Sequence, residues 1–388
     1  MSSDLDKPLR VCYFGTYRAN YMRSQIIIEG LRQAGVEVVE CHETLWRGIE
    51  DRVQAASGGW KKPSFWWRAL STYSRLINQY RHIGPYDVMV VGYPGQVDVF
   101  LARILTWIRR KPLAWDILMS LYLVARDRGL DQKSRFTVKM LYTLEKWACR
   151  LSDLLILDTH AYVDWFHQNY GIAKDRFSLV PLGADDRIFR PQPNNPPANP
   201  DGKFRVTYYG TFIPNHGVPF IIEAARLLAQ EDDICFELIG EGPDLATSQA
   251  LADEYHLPNV TFIRWMDKDA LVQHLASTDV CLGAFGRVTQ SYITIHNKIY
   301  EGLALGKPVI TAENPAVKEQ FVHGEHLYLC GRDEPQQLAD AIMTLRNNPS
   351  LRTKLSQNGS AAFQQHYTVE HLGHLYQKHL AELIEARK

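Results

Sequence analysis

Asn297, Lys298 and Glu301 place an amide, an ammonium and a carboxylate within one helical turn. Residues three or four apart share a helix face, and Ile295, Ile299 and Leu303 form a separate apolar stripe at helical spacing. Gly306 and Pro308 then stop the helix, and Val309-Ile310 opens a buried strand. A helix N-terminus aimed out of a sheet attracts anions. With a fixed cation and a fixed carboxylate beside it, the segment suits a nucleotide diphosphate, Lys298 for phosphate and Glu301 for ribose hydroxyls. The same spacing fits an amphipathic surface helix with a solvated Lys–Glu face, and spacing by itself does not separate the two readings.

Other polar groups fall just beyond predicted strands. Gly210-Thr211 opens a loop that runs to His216-Gly217. Gly210 lets a ligand approach the backbone, and Thr211 and His216 add a hydroxyl and an imidazole. A neutral imidazole offers one donor, so His216 serves phosphate best when protonated. Gly240 and Gly242 close the next strand, Arg264-Trp265 the one after, and Arg287 lies in a later loop. Asp116 and the string Asp158-Thr159-His160 end two strands nearer the N-terminus. Ligands of parallel α/β sheets bind at strand carboxyl ends, although each of these residues also fits a cap or turn. Arg18, after the first strand, is a candidate contact for a phosphate group. No cluster has metal-ligand spacing, so no metal and no other cofactor is expected.

These residues need sheets to position them. The chain has 388 residues, 46% of them apolar, enough for two cores. Strands are expected at 9–14, 36–40, 88–91, 113–115 and 154–157, with a helix over 22–34. A second α/β series starts at Phe204, with strands at 205–209, 235–239, 260–263, 280–282, 309–311 and 327–329 and helices near 219–229 and 268–276. Pro191 to Pro200 is proline-rich and aperiodic, the best linker in the chain. The reading is α/β: two doubly wound, Rossmann-like domains facing a cleft. Residues 1–190 form the first domain, 191–203 the linker and 204–368 the second, with a long amphipathic helix over 369–388.

The helix–Gly–x–Pro–Val segment from Lys298 to Thr311 resembles that of bacterial, retaining family-4 glycosyltransferases of the GT-B fold. The strings Tyr209-Gly-Thr-Phe212, Asn297-Lys-Ile-Tyr300 and Gly183-Ala-Asp-Asp186 carry the likeness further. It covers most of the chain and is strongest between about Arg205 and Thr368. The resemblance implies a second domain that binds a nucleotide-sugar donor as substrate, with Gly210, Thr211, Gly240, Gly242, Arg264, Trp265, Arg287, Asn297 and Glu301 around it. It implies catalytic roles for Asp116, His160, His216 and Lys298, a glycan or lipid-linked acceptor on the first domain, and a last helix that crosses back to that domain. It implies metal-independent hexosyl transfer with retention, in glycan biosynthesis. Three positions depart from the family pattern. Thr211 and His216 stand where an arginine and a lysine are common, and Ile293 stands eight residues before Glu301, where many relatives carry a second acid. Those departures keep two alternatives open: a nucleotide-sugar binding module without transfer, and a GT-B epimerase or hydrolase.

Formal net charge is zero, so overall charge recruits neither nucleic acid nor membrane. Local patches do differ. Residues 46–81 interleave Trp46, Trp60, Phe65, Trp66 and Trp67 with Arg47, Lys61, Lys62, Arg68, Arg75 and Arg81, and 107–111 repeat the theme. Rings and cations together suit an anionic membrane surface, and no nucleic-acid motif accompanies them. They also fit a packed amphipathic helix. The N-terminus lacks an apolar h-region, and the six cysteines are scattered without a CxxC pair. The expected location is cytoplasmic, peripheral on the inner face of the membrane.

Overall fold

The computed structural model describes residues 7–45, 62–191 and 201–387. Trp46, Arg47, Trp60, Lys61 and most of the expected linker lie outside the described residues. The chain divides into two compact units, Met1–Pro181 with Val369–Lys388, and Leu182–Thr368. Residues 182–190, expected in the first domain, thus group with the second.

The first unit is built on β1 (Arg10–Gly15), β2 (Glu37–His42), β3 (Val88–Val91), β4 (Leu113–Asp116), β5 (Leu154–Leu157) and β6 (Phe177–Leu179). They form one parallel sheet in the order β2-β1-β3-β4-β5-β6. β3, β4 and β5 are buried along their whole length, as strands covered on both faces must be. β6 was not anticipated: its three residues are all half-buried, too short and too mixed to show a pattern. The last helix, Val369–Glu385, packs on the Met22–Gln33 helix of this unit. The two touch backbone to backbone, because a Cβ on Gly373 would stand 2.0 Å from the Gly30 carbonyl oxygen. Their side chains share a core with β1 and β3.

The second unit repeats the plan with β7 (Phe204–Tyr209), β8 (Ile234–Ile239), β9 (Val260–Ile263), β10 (Val280–Leu282), β11 (Val309–Ala312) and β12 (Tyr328–Cys330). Their order is β12-β11-β10-β7-β8-β9, all pairs parallel. The chain winds outward from β7 to β9, then returns to the other side of β7. Strand order therefore reverses between β7 and β10, and the crevice beyond their carboxyl ends is where such a sheet offers a ligand site.

Candidate active site

The end of β7 carries Tyr208, Tyr209 and Gly210 into the loop 211–217. Gly210 has φ +135°, and Gly240, at the end of β8, has φ +142°. A Cβ on Gly240 would stand 2.0 Å from the Gly210 carbonyl oxygen, so only glycine lets these two strand ends meet. Gly242 presses on the Phe212 backbone in the same way. On the other side of the crevice, Gly286 after β10 lies against the backbone of Pro214 and Asn215.

Into this corner runs the helix Asn297–Ala304. The sequence allowed a solvated Lys–Glu face, but the packing does not. Lys298 is 5% exposed and Glu301 7%. The Lys298 ammonium sits 3.9 Å from the centre of the Tyr208 ring and 3.1 Å from where a Gly210 Cβ would be. Its Nζ is buried with no hydrogen-bond partner. A ring face attracts the cation but supplies no acceptor, and a buried ammonium without one is destabilised. Burial accordingly pulls Lys298 down to about 7, with Glu301 acting in the opposite direction. Burial pushes the Glu301 carboxyl up to about 7, against a hydrogen bond from Tyr209 and the charge of Lys298. The Lys298 carbonyl oxygen lies 3.1 Å from the same Tyr209 hydroxyl, whose one proton the two acceptors share, which ties the end of β7 to the helix start.

His216 is held by the same loop. Its Nδ1 lies 2.5 Å from the Thr211 carbonyl oxygen, to which the Tyr208 hydroxyl donates at 2.9 Å. A carbonyl only accepts, so Nδ1 carries the proton and the neutral ring leaves Nε2 an acceptor. Donation from Nε2 to a phosphate oxygen therefore requires the imidazolium. The His216 ring meets His296 edge to face, 5.2 Å between centres. His296 precedes the helix, and burial with the nearby charges of Lys298 and Arg332 pulls it down to about 3, so it stays neutral. Tyr208, Tyr209 and His296 had no place in the sequence reading of the site. Their signal was polar atoms at a strand end and at a helix N-cap.

The structure thus brings together Gly210, Thr211, His216, Gly240, Gly242, Asn297, Lys298 and Glu301. Arg287 is turned to Asp333, Nε to Oδ1 2.5 Å, with its guanidinium over Phe220. Arg264 and Trp265 are exposed at the end of β9, the edge strand. Ile293 is buried. In the first unit, Asp116 is fully buried and bound by Arg23, Nε to Oδ2 3.0 Å and Nη2 to Oδ1 3.2 Å. Arg23 also donates to the Val180 and Pro181 carbonyls. The strand-end acid therefore has a guanidinium partner, the geometry of a buried ion pair. His160 is exposed at the start of the helix His160–Tyr170, which Thr159 caps by accepting from the Tyr162 N–H. Among the described residues no group of three His, Cys, Asp or Glu side chains is placed to hold a metal ion.

Comparison with known proteins gives this geometry a context. Residues 190–362 match the family model of glycosyl transferases group 1. The lipopolysaccharide core biosynthesis glycosyltransferase LpsD of Rhizobium meliloti is 25% identical over 170 residues, 44% of this chain and 47% of LpsD. The chain thus spans about half the length of that relative. A D-inositol 3-phosphate glycosyltransferase of Nocardioides is 22% identical over 368 residues, covering 82% of this chain and 79% of its own. Sucrose-phosphate synthase of Thermosynechococcus elongatus superposes with a TM-score of 0.73 at 16% identity, covering 98% of this chain and 100% of that one. HepE of Anabaena, solved with UDP-glucose, gives 0.68 at 17% identity over 98% and 99%. Two six-stranded parallel sheets with these neighbours make the fold GT-B. The segment that buries Lys298 and Glu301 lies within the residues that match the glycosyl transferases group 1 model.

Proposed function

We propose that this chain transfers a hexosyl group from a nucleotide diphosphate sugar to a glycan or lipid-linked acceptor, with retention and without a metal. The observation that carries the reading is the Lys298 ammonium: buried, without an acceptor, at a helix start and beside a glycine-lined strand end. A diphosphate oxygen is the acceptor it lacks. Glu301, one helical turn on, is the acceptor for ribose hydroxyls. HepE was solved with UDP and with UDP-glucose, so UDP is the first nucleotide to test. In the reaction, the acceptor oxygen bonds to the anomeric carbon as the carbon–oxygen bond to the diphosphate breaks. The proton of the acceptor hydroxyl passes to the leaving phosphate. Front-face transfer of this kind asks for no carboxylate base, which accords with Asp116 being occupied by Arg23. Lys298 and the helix dipole stabilise the charge that develops on the leaving group, and His216 adds to this when protonated. The acceptor belongs to the first unit, where exposed rings and cations suit a membrane-surface substrate.

Glu301→Ala is expected to weaken UDP binding by about 1.5–3 kcal/mol, the scale of a hydrogen bond to a charged group. Titration calorimetry checks this, and unchanged affinity removes Glu301 from the ribose site. Acceptor-dependent release of UDP from a UDP-sugar separates transfer from hydrolysis, in which release needs no acceptor, and from a binding module, in which none occurs. Because Lys298 takes the role a divalent ion plays elsewhere, turnover is expected to persist in excess chelator. A rate lost to EDTA and restored by manganese overturns the metal-free reading.

A further inference from the structure

Large apolar side chains exposed on the first unit are concentrated on three helices. Pro63–Arg81 presents Trp66, Trp67 and Leu70; Asp98–Arg109 presents Ile104, Trp107 and Ile108; Arg135–Leu151 presents Phe136, Met140 and Trp147. Trp67 is 77% exposed, Ile108 75% and Phe136 67%. The helices follow β2, β3 and β4 in turn, and each leads to a strand further along the sheet in the same direction. Right-handed crossovers therefore lay them side by side on one face. Direct contacts agree. The Tyr73 hydroxyl donates to Asp98 at 2.7 Å, Arg109 lies over Tyr80, and Arg103 donates to the Leu151 carbonyl.

The charges on this layer are one-sided. The Pro63–Arg81 helix contains no acid. The other two contain one each, Asp98 and Glu145, and these are 1% and 0% exposed. Asp98 is held by the Thr16 N–H and Tyr73, and Glu145 by Ser120, Tyr170, Gln96 and the Leu121 N–H. The outer faces keep only cations, among them Arg81, Arg110, Arg135, Lys139 and Arg150, all exposed. Of the acids that flank the three helices, Glu43 pairs with Arg75 at 3.0 Å, Asp87 lies 3.9 Å from Lys111, and Asp131 lines a hollow with Arg135 and Lys139, which leaves Arg81, Arg110 and Arg150 as the exposed cations away from these acids.

We infer that this three-helix layer docks on an anionic lipid bilayer. Resting on the reading of a lipid-linked acceptor, the inference adds which surface meets the membrane, including the Arg135–Leu151 helix. Tryptophan rings favour the headgroup layer, and cations favour its negative potential. Leu70, Ile104, Ile108 and Met140 decide against a nucleic acid: a polyanion binds cations and stacks on rings but gives aliphatic chains no apolar medium to enter. The acyl boundary does.

The test is flotation of the full chain with vesicles of phosphatidylglycerol and of phosphatidylcholine. Wild type is expected to float with the anionic vesicles at low salt and to be released at high salt. Arg135→Gln, Lys139→Gln and Arg150→Gln together should lower its partition by about a hundredfold, at roughly a factor of five per cation. Trp66→Ser, Trp67→Ser and Trp107→Ser together should lower it by about tenfold or more, and UDP affinity of both variants should match wild type. No preference for anionic vesicles, or binding that survives both variants, overturns the inference. So does preferential binding to a single-stranded oligonucleotide, or a salt-resistant dimer lost in the tryptophan variant. Because UDP binding is read in the same samples, failure of the membrane arm and failure of the glycosyltransferase reading are separate results.

Discussion

Lys298→Ala is expected to lower UDP affinity by about 2–5 kcal/mol, the loss that follows when one partner of a buried charge pair is truncated, and to leave uridine affinity nearly unchanged. The difference between the ligands is the diphosphate, and the buried ammonium has no other acceptor. Calorimetry with UDP and uridine on both proteins measures it, and equal losses for the two ligands sink the phosphate role. A second readout is protonic. Burial holds the free Lys298 down at about 7, and a bound diphosphate favours its charged form. Below pH 7 the ammonium is already present, so binding takes up no proton there. Above pH 7 binding draws a proton from the buffer, and affinity falls as pH rises. Glu301, raised to about 7, ionises over the same interval and works in the opposite sense. It meets neutral hydroxyls while Lys298 meets formal charge, so the lysine sets the slope. Buffers of different ionisation enthalpy should report proton uptake at pH 8 in wild type, and less in Lys298→Ala.

The frame of this site was legible because it rests on local rules. Gly210, Gly240 and Gly242 follow short apolar runs, and glycine after a buried strand marks a backbone that must pass close to something. The order of strands and helices implied parallel sheets, and β3, β5, β9 and β10 fall within the residues the apolar runs marked. Asn297, Lys298 and Glu301 were legible as one face of a helix. Whether that face was wet or dry was not. Periodicity reports which residues share a face, and it cannot report what a neighbouring strand end lays over them. Here Tyr208 and Gly210 cover Lys298, and Tyr209 closes on Glu301.

Longer-range pairings were out of reach for the same reason. Arg23 and Asp116 are 93 residues apart, on a helix and a strand that meet only in the folded sheet. Seen alone, Asp116 is an acid at a strand end, which is where catalytic acids stand. Arg287 is an exposed loop cation until the turn at Asp333 brings a carboxylate to it. The aromatic–basic surface was read from 46–81 and 107–111. The Arg135–Leu151 helix escaped notice because its acid count gives no warning: Glu145 looks like a solvent-facing charge, and four donors in the fold hold it inside.

Asp116→Ala is expected to destabilise the first unit by about 3–5 kcal/mol, the cost of leaving one member of a buried ion pair uncompensated. For a unit of this size that is a fall in Tm of about 6–20 °C. Arg23 is 1% exposed at its side chain and Asp116 0%. With the carboxylate gone, the guanidinium keeps two carbonyl acceptors, Val180 and Pro181, but loses its ion-pair partner. The double variant Arg23→Met, Asp116→Leu should recover most of the loss, because replacing both charges with apolar groups removes the desolvation penalty along with the pair. Thermal melting of the two variants decides between a structural and a catalytic Asp116. If Asp116→Ala melts with wild type, retains UDP binding and loses only turnover, the carboxylate serves the reaction and the ion pair is a resting arrangement. If stability falls in the single variant and returns in the double with turnover intact, Asp116 holds the sheet and the leaving phosphate suffices as base.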